Sequence, residues 1–139
     1  MKKIITIIIA LSTFSLKAQI FSEDFNSGIP STFSLTDVDG ATSASTVIAG
    51  TSSFSAVTIA NEACAGSVSW LNPLGQTDDW MVTPAITLPN TTNPIGLQFD
   101  AICYEAAYPD GVEIFVSSTG TSPADFTGMP LYSTTPTTP

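Results

Sequence analysis

"TDDWMVTPAITLP", residues 77–89, sets two adjacent aspartates before a tryptophan, follows them with a short apolar run, and closes on prolines at 84 and 89. The stretch before it, "LNPLGQTDD", residues 71–79, has the Asn, Pro, Gly and paired Asp of a turn. A run of four to eight apolar residues bounded by turn signals predicts a strand, with Asp78 and Asp79 as polar residues at its edge and Trp80, Val82 and Ile86 supplying core-facing bulk. Pro84 has no N–H to give a sheet, so it predicts an edge strand or a bulge.

The same period extends in both directions. "IGLQFDAICY", residues 95–104, places Ile95, Leu97, Phe99, Ala101 and Cys103 on one face and Gln98 and Asp100 on the other. "YPDG", 108–111, carries Pro at the second position of a turn, with Asp110 as a turn residue, and "VEIFVS", 112–117, alternates again through Val112, Ile114 and Val116. Upstream, "IFSEDF" (20–25), Phe33 to Thr36, "TVIAG" (46–50) and "SAVTIAN" (55–61) read as strands separated by Gly, Pro and Asp. No window of a dozen residues shows helical periodicity. Several short strands between turn signals predict an all-β fold, an antiparallel β-sandwich of Greek-key or jelly-roll type.

The chain has 139 residues, enough for one domain with a hydrophobic core. Its start, "MKKIITIIIALSTFSLKAQ", has two lysines, an apolar run from Ile4 to Leu16, and small or polar residues near Ala18. That pattern predicts a secretory signal peptide over 1–18, cut after Ala18, and hence a secreted or outer-surface protein; the run is short for a bilayer-spanning anchor. All the lysines (Lys2, Lys3 and Lys17) lie within or beside that run, and there is no arginine or histidine. From Gln19 onward the chain carries 12 carboxylates and no basic side chain. Each acid must be solvated, hydrogen-bonded, protonated or held by an external cation.

Such a chain repels nucleic acid and anionic lipid, so neither is expected as a partner, and contact with a membrane would need sorting or anchoring elements outside this sequence. Without histidine, neither a Ser-His-Asp triad nor a His-bearing zinc site can be assembled. A pair of carboxylates of the glycosidase kind remains, but no basic group is present to tune it, so a non-catalytic domain is expected.

"FSEDFNSGIPSTFSLTDVDG", "VSWLNPLGQTDDWMVTPAITLP" and "LQFDAICYEAAYPDGVEIFVSSTG" together resemble the cleaved-adhesin, or choice-of-anchor J, domains of secreted and surface proteins of the Bacteroidetes, similar in fold to gingipain adhesin domains and MAM-type jelly rolls. The likeness covers roughly residues 21 to 134 and places the domain at 19–134. It implies a non-catalytic adhesin-like module that binds glycan or host or matrix protein; the alternative is an accessory domain of a secreted protease or glycosidase. It also implies further strands beyond "LYSTTPTTP", so the sandwich is expected to be incomplete at its C-terminus, with 135–139 a Thr/Pro tail or truncated linker.

Asp37, Asp39 and Gly40 in "LTDVDGAT" match half of a calcium loop, while an Asp-rich turn capped by its own side chains explains the same residues. The resemblance implies that an acid of the first strand, Glu23 or Asp24, joins the loop in a structural calcium site. Cys64 and Cys103 are an even pair in an exported chain, which permits a disulfide; two buried thiols are the alternative. Tyr104, Tyr108 and Phe115 are candidates for stacking on sugars or packing on a partner, or for burial beneath further strands.

Overall fold

The computed structural model describes residues 19–44, 53–105 and 107–135. The expected signal peptide, the expected strand at 46–50 and residues 136–139 of the tail lie outside the described residues. Eight strands follow in order: β1 Ser34–Asp37, β2 Thr42–Ser43, β3 Ser55–Ile59, β4 Glu62–Gly66, β5 Leu71–Asn72, β6 Asp79–Val82, β7 Val112–Ile114 and β8 Tyr132–Thr134. A single 3-10 turn at Pro123–Asp125 is the only helical element among the described residues. The fold is all-β, and every ladder is antiparallel.

Among the described residues the strands form four two-stranded ladders, β1–β6, β2–β5, β3–β4 and β7–β8. The first three are nested in the sequence. β3 and β4 form a hairpin, β2 and β5 flank it, and β1 and β6 close outside them. Between the β1–β6 and β2–β5 ladders the register slips, because the four residues 38–41 on one side face the six residues 73–78 on the other. The backbone bonds Val38 N to Asp78 O (3.0 Å) and Ala44 N to Trp70 O (2.7 Å) carry the pairing past the ends of these ladders. Extra residues on one strand of a pair re-aim the side chains beside them.

The apolar core is small. Phe33, Ile59, Leu71, Val82 and Cys103 are its buried members. Phe33 packs against Phe21 and Phe25 with ring centroids 6.2 and 6.1 Å away. Trp80 lies against Phe115 at 5.2 Å and Phe126 at 5.4 Å, so β6 ties the nested ladders to the C-terminal part of the chain. Both distances are in the range where aromatic pairs attract beyond their buried area.

Several sequence expectations shift. Val82 is buried as expected and β6 ends two residues before Pro84, but Ile86 stays exposed. The segment 20–25 forms no strand, because the Glu23 and Asp24 side chains turn back onto neighbouring backbone N–H groups and Phe25 takes a positive φ of 55°. The expected turn at 71–79 begins with strand β5, since Leu71 is buried and its strand pairs with β2. Trp70, just before β5, is 62 % exposed. The alternating stretch 95–104 belongs to no ladder, and of its apolar face only Cys103 is buried.

The β3–β4 hairpin turns through Ala60 and Asn61, both at positive φ (54° and 69°), between the paired residues Ile59 and Glu62. Two central residues at positive φ are the signature of a type I′ turn, for which Asn-Gly is the favoured pair and alanine is strained. Replacing them together, Ala60→Asn with Asn61→Gly, is expected to stabilise the protein by about 1 kcal/mol, read as a higher denaturant midpoint at unchanged slope. An unchanged midpoint would show that the turn is not strained.

Candidate functional site

The register of β1 on β6 sets Asp37 directly opposite Asp79. The loop that follows β1 brings Asp39 to the same end, and carboxylate oxygens of Asp37, Asp39 and Asp79 all lie within 4.8 Å of one another. The loop is shaped by its own acids. Asp37 Oδ1 accepts the Gly40 N–H at 2.6 Å, and Asp39 Oδ1 accepts the Ala41 N–H at 2.8 Å. Gly40 has φ +68°, a conformation that favours glycine over any side chain. The second oxygen of Asp39 accepts the Asp78 N–H at 2.6 Å, which pins the loop to the start of β6.

Asp79 is half-buried and accepts a hydrogen bond from the Ser67 hydroxyl. Burial pushes its carboxyl above the ordinary aspartate range; the Ser67 hydroxyl partly offsets this, and repulsion from Asp39, Asp37 and Asp78 adds to it. Asp78 itself points elsewhere, accepting the Trp80 indole N–H at 2.7 Å. Three hard carboxylates converging from a ladder and a glycine-hinged loop fit a calcium ion, which takes several oxygens in irregular geometry. Zinc would want nitrogen or sulfur that this cluster does not offer.

Of the four acids expected at a metal site, the structure therefore brings Asp37 and Asp39 together and adds Asp79. Glu23 and Asp24 are occupied in their own turn. Glu23 Oε1 accepts the N–H groups of Asp24 (3.1 Å) and Phe25 (2.8 Å), while Asp24 accepts the backbone N–H and side-chain amide of Asn26 at 3.0 and 2.8 Å. The hydrogen bond from the Asn26 backbone, then that from its side chain, holds the Asp24 carboxyl below its ordinary value. Asp79 was hidden from local reading because only the cross-strand register joins it to Asp37.

Cys64 and Cys103 are both free thiols, so the structure does not contain the expected bridge. Cys64 sits in mid-β4 opposite Val57, where desolvation raises its thiol pKa. Cys103 is buried beneath the following loop and donates to the carbonyls of Glu105 (3.2 Å) and Tyr108 (3.5 Å). That loop holds Tyr104 and Tyr108 outward, 57 % and 74 % exposed, whereas Phe115 is turned in against Trp80. Asp110, expected only as a turn residue, also meets the Ser69 hydroxyl across the chain.

The Cleaved Adhesin Domain family model matches residues 18–138. Hemagglutinin A of Porphyromonas gingivalis is 32 % identical over 117 residues, which cover 81 % of this chain and 4 % of that protein. No solved structure matches the chain. A match across nearly the whole sequence, on an all-β antiparallel fold, places this chain in the cleaved adhesin domain family.

Proposed function

We propose that the chain is a non-catalytic binding module of an exported or cell-surface protein, recognising glycan or protein ligands, with a structural calcium ion held by Asp37, Asp39 and Asp79. The observation that carries the first part is family membership across residues 18–138, supported by the likeness to a protein named as a hemagglutinin. Because the chain corresponds to 4 % of that relative's length, the module is read as one unit that contributes attachment to something larger. A signal peptide at 1–18 suits export, and the absence of histidine, lysine and arginine from residue 19 onward removes the usual partners of a catalytic carboxylate. The calcium reading rests on the donor set: three carboxylates within 4.8 Å, with no basic side chain in the sequence from residue 19 onward to neutralise them.

Calcium would be held by oxygens of Asp37, Asp39 and Asp79 and would supply charge neutralisation rather than chemistry. Binding to the folded state alone stabilises it, by about 2.7 kcal/mol at a hundredfold excess over the dissociation constant. Calcium is therefore expected to raise the unfolding midpoint, sodium chloride at matched ionic strength is not, and Asp37→Ala and Asp39→Ala are each expected to abolish the increment. Equal shifts with calcium and sodium would reduce the effect to screening.

In chelator the sign at Asp79 reverses the usual aspartate pattern. A carboxyl whose folded pKa is raised takes up a proton on folding, so its favourable contribution is full below the unfolded value and is lost as pH rises through the folded one. Asp79→Asn keeps an acceptor for Ser67 and is expected to unfold at a higher temperature than wild type in chelator at neutral pH. In calcium it should lose the metal's increment. A variant less stable than wild type in chelator would mean that the carboxylates do not repel.

The binding function is tested by presenting the secreted chain, in calcium, to immobilised glycans and to extracellular-matrix and blood-cell proteins, while assaying the same ligands for cleavage. Saturable retention without product is expected; product release would make the chain an enzyme.

A further inference from the structure

Gln19 is exposed, and the chain is first anchored two residues further on, where the Phe21 ring lies 6.2 Å from that of the buried Phe33. With 1–18 read as a signal peptide, cleavage after Ala18 makes Gln19 the first residue. The cut frees an α-amino group, which is then the one cationic group in a stretch that carries 12 carboxylates and no lysine, arginine or histidine. A glutamine in that position can reach the carbonyl carbon of its own side-chain amide with its α-nitrogen, closing an unstrained lactam ring.

An ammonium held in an ion pair stays protonated and cannot attack. The two acids nearest in the sequence are engaged elsewhere: Glu23 Oε1 accepts the N–H groups of Asp24 and Phe25, and both oxygens of Asp24 accept from Asn26. An unpaired α-amino group titrates near pH 8, so roughly a tenth of it is neutral and nucleophilic at pH 7.

We propose that Gln19 is converted to pyroglutamate after export, which leaves residues 19–139 without an amine. The α-nitrogen bonds to the side-chain carbonyl carbon, the carbon–nitrogen bond of the amide breaks, and that nitrogen leaves as ammonia with the proton the α-amine gives up. No oxidant, reductant or other co-reactant is needed. The inference rests on the signal-peptide reading and goes one chemical step beyond it. Its product offers no terminal amine to an aminopeptidase and no Lys or Arg to the specificity pocket of a trypsin-like protease. Both common ways of trimming an exported chain are closed within it. The carboxylates are then left without any cation of the chain's own, so only protons, solvent and ions from solution meet their charge.

The test uses the protein freshly recovered from the organism that makes it. A glutamate-specific protease should release the peptide Gln19–Glu23 with the mass of its sequence less one ammonia, unreactive toward an amine label. Pyroglutamyl peptidase should then restore a reactive amine, on Ile20. A synthetic peptide of the same five residues, carried through the same handling, should keep its ammonia. After unfolding, the wild-type chain should come through aminopeptidase and trypsin together at unchanged mass, whereas Gln19→Ala, cut at the same bond, should resist trypsin and be shortened by the aminopeptidase.

Full mass and a reactive amine on Gln19 would overturn the proposal while leaving the signal peptide in place. A first residue other than Gln19 would overturn both. Loss of ammonia to the same extent in the synthetic control, or only after storage of the protein, would make the lactam a product of handling and overturn the proposal alone.

Discussion

The pairing of β1 with β6 is the contact on which the remaining architecture depends. Its register puts Ser34 across from Val82, Thr36 across from Trp80 and Asp37 across from Asp79. The first of these places Val82 at the end of β6, where it is buried. The second holds Trp80 where it meets Phe115 and Phe126, which lie more than thirty residues further along the chain. The third puts like charges opposite each other, an arrangement that destabilises a ladder. Since a one-residue slip would turn every side chain of β6 to the other face, the charge conflict cannot be relieved without losing Val82 and Trp80 from their packing.

The conflict is contained by local hydrogen bonding. Asp37 and Asp39 each accept backbone N–H groups, and Asp79 accepts the Ser67 hydroxyl, so part of each carboxylate's charge is met by fixed dipoles. Dipoles do not neutralise three formal charges, and no lysine, arginine or histidine follows residue 17. Asp79 answers by holding its proton more tightly. The calcium ion proposed above would add a further route to neutrality at this end of the β1–β6 ladder.

Much of this was legible in the sequence, and the limits follow the range of the interactions. Asp37, Asp39 and Gly40 could be identified because an aspartate bonding the N–H two or three residues on, with glycine at positive φ, is local chemistry. The strands β1, β3, β6 and β7 were visible as short apolar or alternating runs between turn signals. Asp79 was read as a strand-edge residue because its partner lies 42 positions away and only a register joins them. Leu71 and Asn72 sit among Pro, Gly and Asp, so turn composition concealed a strand held by its partner β2. For Glu23 and Asp24 the resemblance implied that one of them joins a metal, and in the structure their nearest N–H groups hold both in a turn.

The small core gives the peripheral groups unusual weight. Five residues are buried in the described part of the chain, and none of the side chains is fully excluded from water. A domain with so little burial gains limited stability from apolar transfer, and without basic residues it gains none from internal ion pairs between side chains. Local hydrogen bonds in the Asp37–Gly40 loop and the ring contacts of Trp80 with Phe115 and Phe126 therefore carry a larger share of the stability of the described part of the chain. Trp80 is the point at which these meet: its strand is paired to β1 through the register that also sets Asp37 against Asp79, and its ring reaches Phe115 and Phe126, so losing that ring should loosen both the acidic end and the C-terminal part of the described chain.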